Sequence, residues 1–188
     1  MNLVIFGPPG AGKGTQSKYI AEKFKMFQLS TGEFLRKEIT EGTTIGKKIS
    51  SVINAGALVS DQIVSDLIEK VICNTKYENR IIFDGYPRNL VQAKNLDRLL
   101  KKYNQKIDKV LKLSVGLETI KKRISERRTL EQRPDDSEII AVKRYETYEK
   151  STEPVIEYYK KLNLLNVIDG EKSIDQINKE ISDIISAI

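Results

Sequence analysis

Apolar residues follow two rhythms along this chain. Short unbroken runs occur at "LVIF" (3–6), "IIF" (81–83), "VLKLS" (110–114) and "LLNVI" (164–168). They are too short for helices, and three are closed by Gly or Asp, so they read as buried strands. A shorter run, "FQLS" (27–30), reads as a fifth. Between them the spacing changes to that of a helix. "DQIVSDLIEKVI" places Ile63, Val64, Leu67, Ile68, Val71 and Ile72 on one face, and Ile174, Ile177, Ile181, Ile184 and Ile188 repeat at helical spacing near the C-terminus. Both sets read as core-facing stripes. Strands alternating with helices imply right-handed crossovers and a parallel sheet covered on both faces, an α/β fold.

Two segments break that rhythm. Residues 31–59 read as short helices with no strand, and 128–137, "RTLEQRPDDS", is polar around a central proline. Both are expected to be insertions at the strand ends, where α/β proteins bind ligands. No repeat, low-complexity tract or linker divides the 188 residues, a length suited to one domain.

Composition narrows the chemistry. The chain contains no histidine and one cysteine, Cys73, which excludes a histidine general base, an internal disulfide and the usual zinc ligand sets. Catalysis must use Lys, Arg, carboxylates, hydroxyls and backbone dipoles. No apolar run approaches the roughly 20 residues of a membrane span. A glycine loop beginning at residue 7 leaves no room for a signal peptide, so a cytoplasmic protein is expected. The net charge of +6 is spread rather than clustered, which fits polyphosphate ligands better than nucleic acid. No exposed apolar stripe demands a partner, so a monomer is expected.

The chemistry concentrates in "GPPGAGKGT" (7–15). It approaches the phosphate-binding consensus G-x-x-x-x-G-K-[ST], but Gly14 follows the lysine and the hydroxyl arrives late, at Thr15. A strand precedes it and "KGTQSKYIAEKF" reads as a helix after it. In that setting glycines let backbone N–H groups face phosphate oxygens, and the helix dipole adds positive potential. Lys13 then reaches the β- and γ-phosphates. In "FDGYPR" (83–88), Asp84 ends a strand, where a carboxylate can hold magnesium or its waters. The chain has 23 lysines and only nine arginines, so arginine is expected where a bidentate fork is needed, while any single one can be a solvated surface residue.

These motifs together resemble the nucleoside monophosphate kinases, and the adenylate kinases in particular. The resemblance also rests on "LSTGEFLR" (29–36), "GALVSD" (56–61), "FDGYPRNLVQA" (83–93), "RPDD" (133–136), "KRYETY" (143–148) and "TEPVIEYY" (152–159), in the family's order. It implies a P-loop NTPase-type parallel five-stranded sheet covered by helices on both faces. The implied division is a core (1–29, 60–127, 138–188), a small helical acceptor-binding insertion (30–59) and a short lid (128–137). Six of the nine arginines, Arg36, Arg88, Arg123, Arg127, Arg133 and Arg144, match the family's phosphate-contacting positions. The lid is of the short type, without the inserted metal-binding segment of some relatives, so zinc is not expected.

The resemblance also implies roles. Gly10, Ala11, Gly12, Lys13, Gly14 and Thr15 hold the donor ATP, with Arg123, Arg127 and the backbone near Lys172. Thr31, Arg36, Ala57, Leu58, Val59, Gly85, Tyr86, Pro87, Arg88 and Gln92 form the AMP site. Arg133 and Arg144 close over the reacting phosphates, and Lys13, Arg88, Arg123, Arg133 and Arg144 form the catalytic set. Magnesium is held by Asp84, through water, and by Thr15. Phosphoryl transfer suits a protein without histidine, because positioning and electrostatics dominate and the acceptor phosphate is already ionised. Ser60 and Pro134 depart from the family's pattern. A guanine-reading N-K-x-D motif, which a GTPase switch would need, is absent. A UMP/CMP kinase remains the alternative, although Thr31 and Gln92 match the adenine-reading positions, and one glutamine amide can satisfy both the amino group and ring nitrogen of adenine.

Overall fold

The computed structural model describes residues 1–131 and 137–188, and among these the expected alternation of strands and helices is present. The strands are β1 (Leu3–Phe6), β2 (Phe27–Ser30), β3 (Ile81–Asp84), β4 (Lys109–Ser114) and β5 (Leu165–Asp169). They form one sheet in the order β2-β3-β1-β4-β5, and every pairing is parallel. The helices are α1 (Lys13–Phe24), α2 (Thr31–Thr40), α3 (Thr44–Asn54), α4 (Asp61–Ile72), α5 (Leu90–Lys102), α6 (Leu117–Glu131), α7 (Glu138–Lys161) and α8 (Ile174–Ser186).

Side-chain alternation along the strands divides the core in two. Val4, Phe6, Leu29 and Phe83 pack with Ile68 of α4, Leu96 of α5 and Tyr159 of α7 on one face. Leu3, Ile5, Ile82, Leu111 and Leu113 pack with Ile20 of α1, Ile120 of α6 and Ile181 of α8 on the other. A strand buried on both faces needs apolar residues without polar alternation, as "LVIF" supplies.

The α4 stripe behaves as expected: Val64, Leu67, Ile68 and Ile72 are buried, and Ile63 and Val71 pack at the core's edge. The C-terminal stripe needs correction. Ile177 and Ile181 are buried, but Ile174 and Ile188 are 58% and 54% exposed. Ile174 opens α8 and Ile188 lies beyond its end, so neither overlies the sheet; Ile185 supplies the last buried contact instead.

Strand register places the site. Ile5 of β1 pairs with Asp84 of β3, and Asp84 pairs in turn with Ser30 of β2. The loop after β1, the turn after β3 and the start of α2 therefore leave the sheet side by side. The chain changes direction beside β1, between β3 and β4, so this is the crevice where open α/β sheets bind ligands.

Candidate active site

The glycine loop turns β1 into α1 through two residues with left-handed backbone, Gly10 (φ 85) and Gly12 (φ 91). Gly10 also lies against α6, where an added Cβ would stand 3.0 Å from Ile124 Cγ1 and 3.3 Å from the Ile120 carbonyl. Gly12 and Gly14 face open space. The first N–H groups of α1 lack intrahelical partners, so this space is bordered by donors and the positive helix end. Thr15, in that first turn, is exposed.

Lys13 bends back over the loop. Its Nζ donates to the carbonyl oxygens of Gly7 at 2.7 Å and Pro8 at 3.0 Å. Burial lowers its pKa to about 8, with Arg88, Arg144 and Arg127 acting in the same direction and Asp84 opposing them. Asp84 is 7% exposed, and burial pushes its carboxyl up against the pull of Lys13 and of a hydrogen bond from Gln28 Nε2 at 3.3 Å. The two groups thus share one desolvated patch of opposite charge.

The turn after β3 lies on the side where the acceptor residues are expected. Gly85 has φ 80, and a Cβ there would stand 2.9 Å from Thr31 Oγ1 and 3.2 Å from Arg88 Nη2. Thr31 Oγ1 donates to the Gly85 carbonyl at 3.0 Å, and Arg88 Nε donates to the same oxygen at 2.7 Å. The β3–α5 turn is thereby tied to α2. It is tied to α7 as well, because Thr152 Oγ1 donates to the Arg88 carbonyl at 3.1 Å.

Two clefts open here. One is lined by Thr31, Arg36, Ala57, Leu58, Val59, Gly85, Arg88, Gln92 and Arg144 among others. A second contains Lys13 and Pro87 and shares Gly85, Arg88 and Arg144 with the first. They are contiguous, with two arginines at the junction and Lys13 beyond it. On the far side of the loop, Arg123 and Arg127 share a face of α6 with Ile120 and Ile124. Arg123 Nη2 donates to the Gly170 carbonyl at 2.9 Å, linking α6 to the loop after β5 that contains Lys172. The Lys172 ammonium itself is paired with Glu180 at 2.9 Å, pointing along α8.

Most acceptor residues expected from sequence therefore meet in one cleft. Tyr86 does not: its side chain is buried in the core, and its hydroxyl donates to the Gln92 carbonyl at 3.2 Å. Tyr86 lies in the turn after β3 and its ring packs into the core, so its side chain supports the cleft rather than lining it. Arg133 and Pro134 lie outside the described residues, as does most of the expected lid; its start, 128–131, continues α6. Sequence reasoning missed Thr147, Tyr148 and Thr152, which line the second cleft. Their spacing of three, four and eight residues after Arg144 was the signal, since it puts them on that arginine's face of α7.

Comparison with known proteins agrees with this geometry. The adenylate kinase family profile matches residues 5–164. An adenylate kinase from Pelagibacter ubique (strain HTCC1062) is 43% identical, covering 98% of this chain and 99% of the relative. One from Archaeoglobus fulgidus is 39% identical over 100% of this chain and 99% of the relative. One from Caulobacter sp. (strain K31) is 41% identical over the full length of both. With the phosphate loop, arginine-lined junction and parallel sheet already in place, these matches show that the chain belongs to the adenylate kinase family.

Proposed function

We infer that this chain transfers the terminal phosphoryl group of ATP to AMP, reversibly giving two molecules of ADP, in the presence of magnesium. The observation that carries the reading is the junction of the two clefts, where Arg88 and Arg144 stand between the acceptor cavity and Lys13. Family membership supports ATP, ADP and AMP as the ligands and gives the UMP/CMP alternative no support.

In this reading the residues from Gly10 to Thr15 hold the donor phosphates with backbone N–H groups. Arg123 and Arg127 reach the donor from α6, and the backbone near Lys172 borders its base. Thr31, Arg36, the 57–59 segment, Gly85, Pro87, Arg88 and Gln92 receive AMP. Lys13, Arg88, Arg144, Arg123 and Arg133 balance the charge that spreads over the migrating group. No general base is required, because the attacking phosphate oxygen is already ionised.

The donor set fits a magnesium ion carried mainly by phosphate and water. Asp84 and Thr15 offer hard oxygen ligands, and no group of three or more His, Cys, Asp or Glu side chains among the described residues could hold a metal unaided. Burial holds the Asp84 carboxyl up, and a divalent cation would favour its charged form. When bound, magnesium supplies charge neutralisation and orientation of the phosphates.

We assign 30–59 as an acceptor-binding insertion and 128–137 as a short lid on a core of 1–29, 60–127 and 138–188. We also propose a cytoplasmic monomer that acts in nucleotide homeostasis. No described helix is long and apolar enough to cross a membrane, and the lone Cys73 suits a reducing compartment. The reaction is tested from the reverse direction: phosphorus NMR of the protein with magnesium and ADP alone should show ATP and AMP accumulating in equal amounts. ADP that stays unchanged, or that decays to AMP and free phosphate, would refute the transferase reading.

A further inference from the structure

We infer that Asp61 locks the Gln92 amide in one of its two orientations, and that this lock makes the acceptor cleft distinguish a 6-amino purine from a 6-oxo purine. The inference rests on the reading of that cleft as the AMP site, and gives a role to a residue outside the phosphate-binding set.

Gln92 is 4% exposed and lines the acceptor cleft. Its side chain is held at both ends. Oε1 accepts from the Arg88 backbone N–H at 2.7 Å, and Nε2 donates to Asp61 Oδ1 at 2.7 Å. Asp61 comes from the first turn of α4, whereas Gln92 and Arg88 belong to α5 and the turn before it. Asn89 closes the arrangement: its Oδ1 caps α5 by accepting from the Gln92 N–H at 2.8 Å, and its Nδ2 donates to the same Asp61 Oδ1 at 3.1 Å.

A glutamine amide has two donor hydrogens and two acceptor lone pairs. The protein uses one of each, leaving one Nε2 hydrogen beside one Oε1 lone pair on the outer edge of a planar group. Adenine presents an N6 hydrogen beside the N1 lone pair, which this edge matches. Hypoxanthine presents O6 beside an N1 hydrogen, the reverse pattern, and matches only an amide rotated by half a turn. Rotation would set Nε2 against the Arg88 N–H, two donors facing, and Oε1 against the Asp61 carboxylate, two acceptors facing. Both clashes would fall on a Gln92 side chain that is itself buried, between partners that are part-buried, where unpaired polar groups are costly. Arg88 N–H alone enforces half of the lock; Asp61 supplies the half that a side-chain change can remove.

The test compares AMP with IMP as acceptor in the full chain, at saturating ATP and magnesium, for wild type, Asp61→Ala, Asp61→Ser and Asp61→Asn. The AMP:IMP ratio of kcat/KM should fall about tenfold or more in the Ala and Ser variants, the size expected for one buried hydrogen-bond mismatch. The fall should come through the KM of the monophosphates, with the KM for ATP unchanged. Asp61→Asn keeps an acceptor oxygen for Gln92 and Asn89, and should retain the wild-type ratio. Thermal unfolding is measured in parallel; using Ser beside Ala provides a second variant if either folds poorly. A wild-type ratio in Asp61→Ala and Asp61→Ser would overturn the lock while leaving the AMP site intact, as would equal losses with both acceptors. A wild-type protein that phosphorylates neither AMP nor IMP would overturn the cleft assignment itself.

Discussion

The ammonium of Lys13 reaches back 2.7 Å to the carbonyl oxygen of Gly7, closing the phosphate loop upon itself. The charge is thus held in place before any nucleotide arrives, at a site where burial has already lowered its pKa to about 8. Replacing it with an isosteric apolar chain removes a positioned cation and little packing. Lys13→Met is expected to lower kcat by about 10²–10³ or more, the range for losing one preorganised electrostatic donor. The melting temperature should be unchanged or higher, since a desolvated charge is removed. Near-wild-type turnover would exclude Lys13 from the catalytic set.

The lowered pKa gives a pH dependence with a definite sign. In the free protein Lys13 is charged below about pH 8 and loses its proton above it, with Asp84 opposing the loss and Arg88, Arg144 and Arg127 favouring it. kcat/KM for ATP, which reports the free enzyme, should therefore decline as pH rises through about 8. Bound phosphates add negative charge, so kcat at saturation should hold to higher pH. For folding, the unfolded chain binds this proton more tightly than the native one. The Lys13 contribution to stability therefore rises between about pH 8 and the ordinary lysine range. A kcat/KM profile flat to pH 10 would contradict the assignment.

Glycines on the two sides of the site should respond differently. Gly85 has φ 80, and a Cβ there would meet Thr31 and Arg88. Gly85→Ala is expected to cost about 1–2 kcal/mol for the backbone alone, and to raise KM for AMP more than KM for ATP. Gly14 sits in the first turn of α1 with nothing within 4 Å of a Cβ. Gly14→Ala should leave stability unchanged or raise it by up to about 1 kcal/mol, while weakening ATP use. That combination would show that the glycine following Lys13 serves the phosphates and not the fold.

Local chemistry explains why so much was legible beforehand. The strands announced themselves because burial on both faces requires apolar runs, and the glycine loop because its backbone conformations restrict residue choice. Ile174 and Ile188 misled because helical spacing reports a face but not where the sheet beneath it ends. Tyr86 shows that neighbours in one turn can face opposite ways: its ring packs into the core while the Arg88 side of the turn lines the cleft. Asp61 was silent for another reason, and although helical spacing from Arg144 flags the face of Tyr148 and Thr152, it does not name what they meet. Their contacts arise where α4, α5 and α7 pack together, and no short-range pattern encodes that meeting.

The insertion offers a dynamic prediction. Residues 31–59 lie outside the alternating core and carry Thr31, Arg36 and the 57–59 wall of the acceptor cleft. A bisubstrate analogue joining adenosine moieties through phosphates should slow amide hydrogen exchange there far more than in residues 107–114, which contain β4, hydrogen-bonded between β1 and β5. Equal protection of both segments, or none, would show that the insertion does not close on its ligand.

The central claim is that the arginine-lined cleft delivers AMP, and not another monophosphate, to the phosphate loop. Its most direct measurement is kcat/KM for AMP, CMP and UMP with ATP and magnesium in one coupled assay. Uracil presents a carbonyl beside an N–H to the Gln92 amide and leaves buried polar groups unpaired, at roughly 1–3 kcal/mol each, whereas cytosine presents adenine's amino and ring-nitrogen pair on a smaller ring that falls short of the amide. AMP should exceed both pyrimidine nucleotides by about tenfold or more, and Gln92→Ala should narrow the gap to UMP without changing KM for ATP. Equal kcat/KM for the three acceptors, or a preference for CMP or UMP, would contradict it.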